Sequence, residues 1–238
     1  MEWFSTEVLA LVLTAATVGV LHTLLGPDHY LPFVALSRSK RWTLRRTLAV
    51  TGACGVGHVA GSIVLGALGI ALGSGLARII RIESIRGDIA AWLMLTLGLV
   101  YLAWGLKQAA RGQVHAHPHV HADGSIHTHQ HDHRSAHLHP HGQGANRVAP
   151  WALFIVFALG PCEALIPILM YPAAQHNYAA VALVAAVFAV ATLATMLVIV
   201  ALGCVGATRL RFGRMDRYAH ALAGGAISLC AIGMLIGF

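Results

Sequence analysis

Three histidines, two carboxylates and a thiol lie inside stretches of sequence that are otherwise almost wholly apolar. His22, Asp28 and His29 stand at the end of one such stretch, His58 within the next, and Glu163 within a later one, with Cys162 beside it. Imidazole, carboxylate and thiolate together form the donor set of zinc, nickel, cobalt, copper or iron rather than of magnesium or calcium. A seven-residue spacing puts His22 and His29 on one face of a helix. An ionisable side chain at the bilayer centre costs roughly 2.5 to 3.5 kcal/mol on insertion scales, so such residues face a bundle interior and mark ion pathways. His58, flanked by Gly57 and Gly61, would also suit close helix packing. No lysine or arginine falls within the expected span cores to neutralise Asp28 and Glu163, and a bound cation is the remaining partner.

Composition fixes the solvent in which these residues work. Of 238 residues 57% are hydrophobic and 11% charged, and the mean hydropathy is +0.70, the balance of a chain immersed in lipid. Spans of about 20 apolar residues are expected at Val8 to Leu25, Leu48 to Leu76, Ile89 to Leu106, Val148 to Tyr171, Tyr178 to Gly206 and Tyr218 to Phe238. Their runs of Ala, Leu, Val and Gly predict helices, because barrel strands would alternate in polarity. The first span lacks the basic flank of a cleavable leader and is expected to stay. Thirteen of the 16 Lys and Arg residues fall between spans 1 and 2, 3 and 4, and 5 and 6, which predicts those loops in the cytoplasm and both termini outside an inner membrane. Although the chain is basic, no folded module is left to present nucleic acid with those charges. The four cysteines show no spacing of a disulfide framework.

The two halves resemble each other. Gly26-Pro27-Asp28-His29 ends span 1, and Gly160-Pro161-Cys162-Glu163 lies in span 4 at an offset of 134; each is followed by a second proline, Pro32 or Pro167. A proline removes one helix donor and clashes with the carbonyl one turn back, so both helices should break there and free carbonyls at membrane depth. Matched interruptions predict a midplane site in a 3+3 inverted repeat of six transmembrane helices. The first repeat is residues 1–106 and the second 148–238, separated by a loop at 107–147. The same offset carries His58 onto Thr192 and Ser62 onto Met196, so Thr192, Thr195 and Met196 are expected to line the pathway from span 5.

In that loop 11 of the 27 residues from His115 to His141 are histidine. They form three alternating runs: His115, His117, His119 and His121; His127, His129, His131 and His133; and His137, His139 and His141. Alternation puts each run on one side of an extended chain, which suits collecting or buffering metal. The segment is expected to be disordered without metal.

The His22-to-His29 segment and Gly57-His58 resemble the motifs of the nickel/cobalt transporter superfamily, and Gly160-Pro161-Cys162-Glu163 resembles its six-helix efflux and urease-accessory branch. The resemblance implies a secondary transporter of Ni²⁺ or Co²⁺, with Zn²⁺ a further candidate and export slightly favoured. No organic cofactor is expected; the implied partners are the metal ion, membrane lipid and cytoplasmic metal chaperones. The same broader group includes thiol-disulfide electron carriers of bacterial membranes, which have Pro-Cys pairs in helices 1 and 4. Here Pro161-Cys162 is present, but span 1 has Pro27-Asp28 in place of the other pair. A metal sensor or intramembrane metalloenzyme is another alternative. Without a nucleotide-binding motif or a His-Glu-x-x-His helix, the chain is not expected to be an enzyme.

Overall fold

The computed structural model describes residues 6–73, 75–111, 115–120, 126–131, 145–162, 164–209 and 217–237. Apart from one hairpin, the described residues with regular structure are helical. The chain begins with α1 (Thr6–Leu25), a 3-10 turn (Pro27–His29) and α2 (Leu31–Ser39), followed by α3 (Leu44–Ala71) and α4 (Leu76–Arg111). Strands β1 (His115–Val120) and β2 (Ile126–His131) lead to α5 (Ala145–Leu159), α6 (Leu165–Ala174), α7 (Tyr178–Arg209) and α8 (Ala219–Leu235). Four helices, α1, α3, α4 and α7, are long and apolar enough to cross a membrane. The other two expected spans are the α5–α6 pair and the 17-residue α8, all shorter apolar helices. The chain is a multi-pass α-helical membrane protein.

Both Gly-Pro segments interrupt their helices. At the first, α1 stops at Leu25, Gly26 N–H donates to His22 O at 3.1 Å, and the 3-10 turn re-aims the chain into α2. At the second, α5 stops at Leu159 and α6 restarts at Leu165. Pro161 has no N–H for the Phe157 carbonyl one turn back. That carbonyl instead accepts from Gly160 N–H at 3.1 Å and from His58 Nδ1–H at 3.3 Å. Ala158 O accepts from Arg86 Nη2 at 3.1 Å. The carbonyls released by the break are therefore what the neighbouring helices hold.

Helix α4 is longer than the expected span and starts 13 positions before Ile89. Glu83 and Arg86 form an i,i+3 ion pair at 2.8 Å within it, and Arg86 also reaches Ala158. An arginine thus does lie beside the second break, supplied by a segment whose charges suggest a loop.

Helix α4 packs most extensively on α8, and α1 on α7. The α4–α8 contact is close because side chains are missing where the backbones meet: a Cβ on Gly105 would run into Ala221, and one on Gly224 into Leu102. Phe33, Leu36, Met94, Phe157, Met196 and Ile227 form one apolar cluster; Ala15, Leu165, Leu169, Val184 and Phe188 form another.

The histidine-rich loop contains regular backbone where disorder was expected. β1 and β2 pair antiparallel, in a register that sets His115 opposite His131, His117 opposite His129 and His119 opposite His127. Alternation at period two in both strands is compatible with such a ladder. His121, His133, His137, His139 and His141 lie outside the described residues.

Candidate metal centre at the helix breaks

His22, His29 and His58 converge, each offering one ring nitrogen, and these nitrogens all lie within 4.8 Å of one another. The ring centroids of His22 and His29 are 4.7 Å apart, those of His29 and His58 5.1 Å, and those of His22 and His58 6.2 Å. His22 comes from the last turn of α1, His29 from the 3-10 turn beyond it, and His58 from the middle of α3.

The hydrogen bonds of two rings fix their tautomers. A carbonyl oxygen can only accept, so Nδ1 carries the proton in His29, which donates to Gly26 O at 3.1 Å, and in His58, which donates to Phe157 O. Nε2 of each neutral ring then carries the lone pair. Both Nε2 atoms are buried and have no hydrogen-bond partner among the described residues. A backbone carbonyl on Nδ1 and a vacant, buried Nε2 is how metal-binding imidazoles are oriented. Asp28 Oδ1 lies 3.3 Å from His29 Nδ1, on the ring edge away from Nε2, and so supports His29 from behind.

Cys162 follows the second proline and is fully buried, its sulphur 3.8 Å from His22 Nε2. It is a free thiol, as are Cys54, Cys204 and Cys230. Those three pack in the first apolar cluster and Cys162 in the second, so no other cysteine shares its surroundings. Both break glycines abut the histidines. A Cβ on Gly26 would lie 2.6 Å from His29 Nδ1, and one on Gly160 would lie 3.2 Å from His58 Nδ1.

A cavity of about 610 Å³ opens onto His22, Asp28, His29 and His58, with Ser84 and Asp88 of α4 and Met234 of α8 on its wall. The α4 residues were missed at the level of sequence because their stretch reads as a charged loop; an unbroken helical run through Arg78, Glu83, Arg86 and Asp88 was the available signal. Thr192, Thr195 and Met196 are not among the lining residues. Thr192 is buried beside Gly19, Thr195 Oγ1 donates to Ala191 O at 2.7 Å, and Met196 packs in the first apolar cluster. Glu163 lies outside the described residues.

The fold and site define a polytopic helical membrane protein with a histidine cluster where a helix breaks. Residues 30–235 match the family model of the cytochrome c biogenesis protein transmembrane region, and the chain belongs to that family. It is also similar to chloroplast protein FOR GROWTH AND FERTILITY 2 of Arabidopsis thaliana, with 37% identity over 108 residues; the match spans 44% of this chain and 26% of that protein. No solved structure matches the chain.

These matches overturn the assignment to the nickel/cobalt transporter superfamily, and with it Ni²⁺ or Co²⁺ transport as the function. The family match points instead to the thiol-disulfide class of membrane proteins. The error has a physical source. The nickel/cobalt resemblance rested on ligand-type residues at two helix interruptions, and any protein holding a cation within a membrane needs such residues there. The family match runs through the spans themselves, from residue 30 to residue 235.

Proposed function

We propose that this chain is a membrane-embedded carrier of reducing equivalents in the thiol-disulfide and cytochrome c biogenesis class. Its working centre would be a transition-metal site of His22, His29 and His58 with the Cys162 thiol beside it, in place of a cysteine pair. The observation that carries this reading is the pair of buried, unpartnered Nε2 atoms on His29 and His58, at a centre that also holds Cys162. Imidazole and thiolate suit copper as they suit zinc, and of the two only a copper ion there would supply one-electron chemistry. Gly26 O and Phe157 O orient two of the rings, Asp28 backs His29, and the Cys162 sulphur lies 3.8 Å from His22 Nε2.

The 3+3 inverted repeat belongs to this reading and is supported by the packing. Exchanging the halves turns the α1–α7 contact into α5–α3, and turns the contact of α2 with α8 into that of α6 with α4; α3–α7 and α4–α8 map onto themselves, and all of these contacts occur. On this plan both termini lie outside, and the histidine hairpin is a cytoplasmic metal store.

The test is electron transfer in vesicles carrying copper-loaded protein, with ferricyanide inside and a membrane-impermeant dithiol outside. Each dithiol oxidised to its disulfide yields two electrons and two protons, and the electrons reduce two ferricyanide ions. Wild-type protein should bleach the enclosed ferricyanide, while Cys162→Ser and His58→Gln should slow bleaching at least about tenfold. Loaded wild-type protein that bleaches no faster than empty vesicles overturns the carrier reading.

A further inference from the structure

A second cavity, of about 580 Å³, lies at the basic end of the bundle, sharing no lining residue with the first, between the end of α2, the start of α3, the end of α7 and the start of α8. Arg38, Arg41 and Arg217 line it, and among the described residues no carboxylate does. Arg38 donates to the Ala207 carbonyl in the last turns of α7, which fixes its guanidinium at the wall. Arg217 stacks over the Tyr218 ring at 4.5 Å and donates to its hydroxyl at 2.6 Å. Arg41 sits in the left-handed region, with φ of 52°, at the turn between α2 and α3.

Two further features point into this space. Helix α8 has no side-chain cap at Tyr218, and its first residues, Ala219 and His220, line the cavity, which puts the positive end of the α8 dipole at the wall. Trp42 also lines the cavity and is 9% exposed, and its buried indole N–H has no acceptor among the described residues. A buried donor without an acceptor costs about 1–3 kcal/mol. Positive charge is dense nearby: burial and the Arg46 guanidinium push the Lys40 ammonium below its ordinary value.

We propose that this cavity is a phosphate-binding site, in which Arg41, Arg217, the α8 N-terminus and the Trp42 indole N–H hold the phosphate group of an anionic lipid headgroup or of a soluble phosphate compound. Exposed Leu44 and Val205 at its rim offer apolar surface to acyl chains, which suits the lipid source. A basic pocket between membrane helices on the positive side is a recurrent headgroup site. The proposal is independent of the redox reading, since it uses none of the residues at the helix breaks.

The experiment measures ligand retention by purified full-length protein in native mass spectrometry. One arm offers phosphatidylglycerol against phosphatidylcholine, the other inorganic phosphate. Arg41→Gln with Arg217→Gln should weaken the bound phosphate ligand about 30-fold, at roughly fivefold per arginine near the surface. Trp42→Phe, which removes only the N–H, should weaken it by a smaller factor. Arg78→Gln with Arg81→Gln, which removes two exposed charges outside this cavity, should leave it unchanged. Selective retention of phosphatidylglycerol assigns the site to lipid, and retention of inorganic phosphate alone assigns it to a soluble ligand. Equal retention by wild type and the Arg41/Arg217 variant in both arms, or equal loss in the Arg78/Arg81 control, overturns the proposal.

Discussion

The two helix breaks start from the same pair of residues and end in different chemistry. After Gly26-Pro27 the chain closes a 3-10 turn that presents His29 with Asp28 behind it. After Gly160-Pro161 it delivers a buried thiol, and the carbonyls of Phe157 and Ala158 are taken by His58 and Arg86 from other helices. The first break thus supplies a ligand directly. The second also acts through its backbone, because Phe157 O sets the proton of His58 on Nδ1 and leaves Nε2 for an ion. A proline in a membrane helix can therefore build a site in two ways: by turning a side chain inward, or by freeing a carbonyl that aligns a side chain elsewhere.

That division predicts a graded series of effects, the first two on metal affinity, measurable by competition with a chromophoric chelator, and the last on stability. The largest belongs to the ring that the second break aligns: His58→Gln removes a ligand and leaves Phe157 O without its imidazole donor, and should lower affinity by more than about 100-fold, beyond the range for second-shell changes. Affinity kept within about threefold would dissociate the second break from the centre. Next comes Asp28→Asn, which keeps the shape and removes the charge behind His29; it should cost about 10-fold, in the lower part of that range. An unchanged affinity would leave Gly26 O as the sole support of that ring. The smallest effect separates the two glycines. The added methyl of Gly26→Ala would press on His29 and Asp28, at a cost of about 1–3 kcal/mol, read as a lower thermal midpoint, whereas the looser contact at Gly160→Ala should shift it less. The reverse order would show that the second break is the more tightly built.

Much of this was legible from residue type and spacing. The first span, expected from Val8 to Leu25, is α1 from Thr6 to Leu25, and the fifth agrees at Tyr178, because long apolar runs have one stable form in lipid. His22 and His29 do meet, but through the 3-10 turn that follows the break rather than as one face of a continuous helix, and the tie to His58 depends on how α3 packs. The start of α4 was hidden by its charges. Glu83 is buried with Arg86 as its partner, so they mask each other in a helix that a count of charges reads as a loop. The pairing of the histidine runs was hidden because alternation fixes which residues share a face but says nothing of register. Family membership could not be read from the ligands, since Asp28 and His29 serve any cation held in lipid.

The glycine contacts between α4 and α8 have a mechanical consequence. Where two backbones touch without side chains between them, there is no cushion of rotamers to absorb a shift, and the pair moves as one stiff beam. Helices α1 and α5 stop partway, and the segments beyond them, α2 and α6, have only nine and ten residues. Compliance in this molecule is therefore concentrated in two short levers beside a rigid post, and both hinges adjoin the one histidine centre.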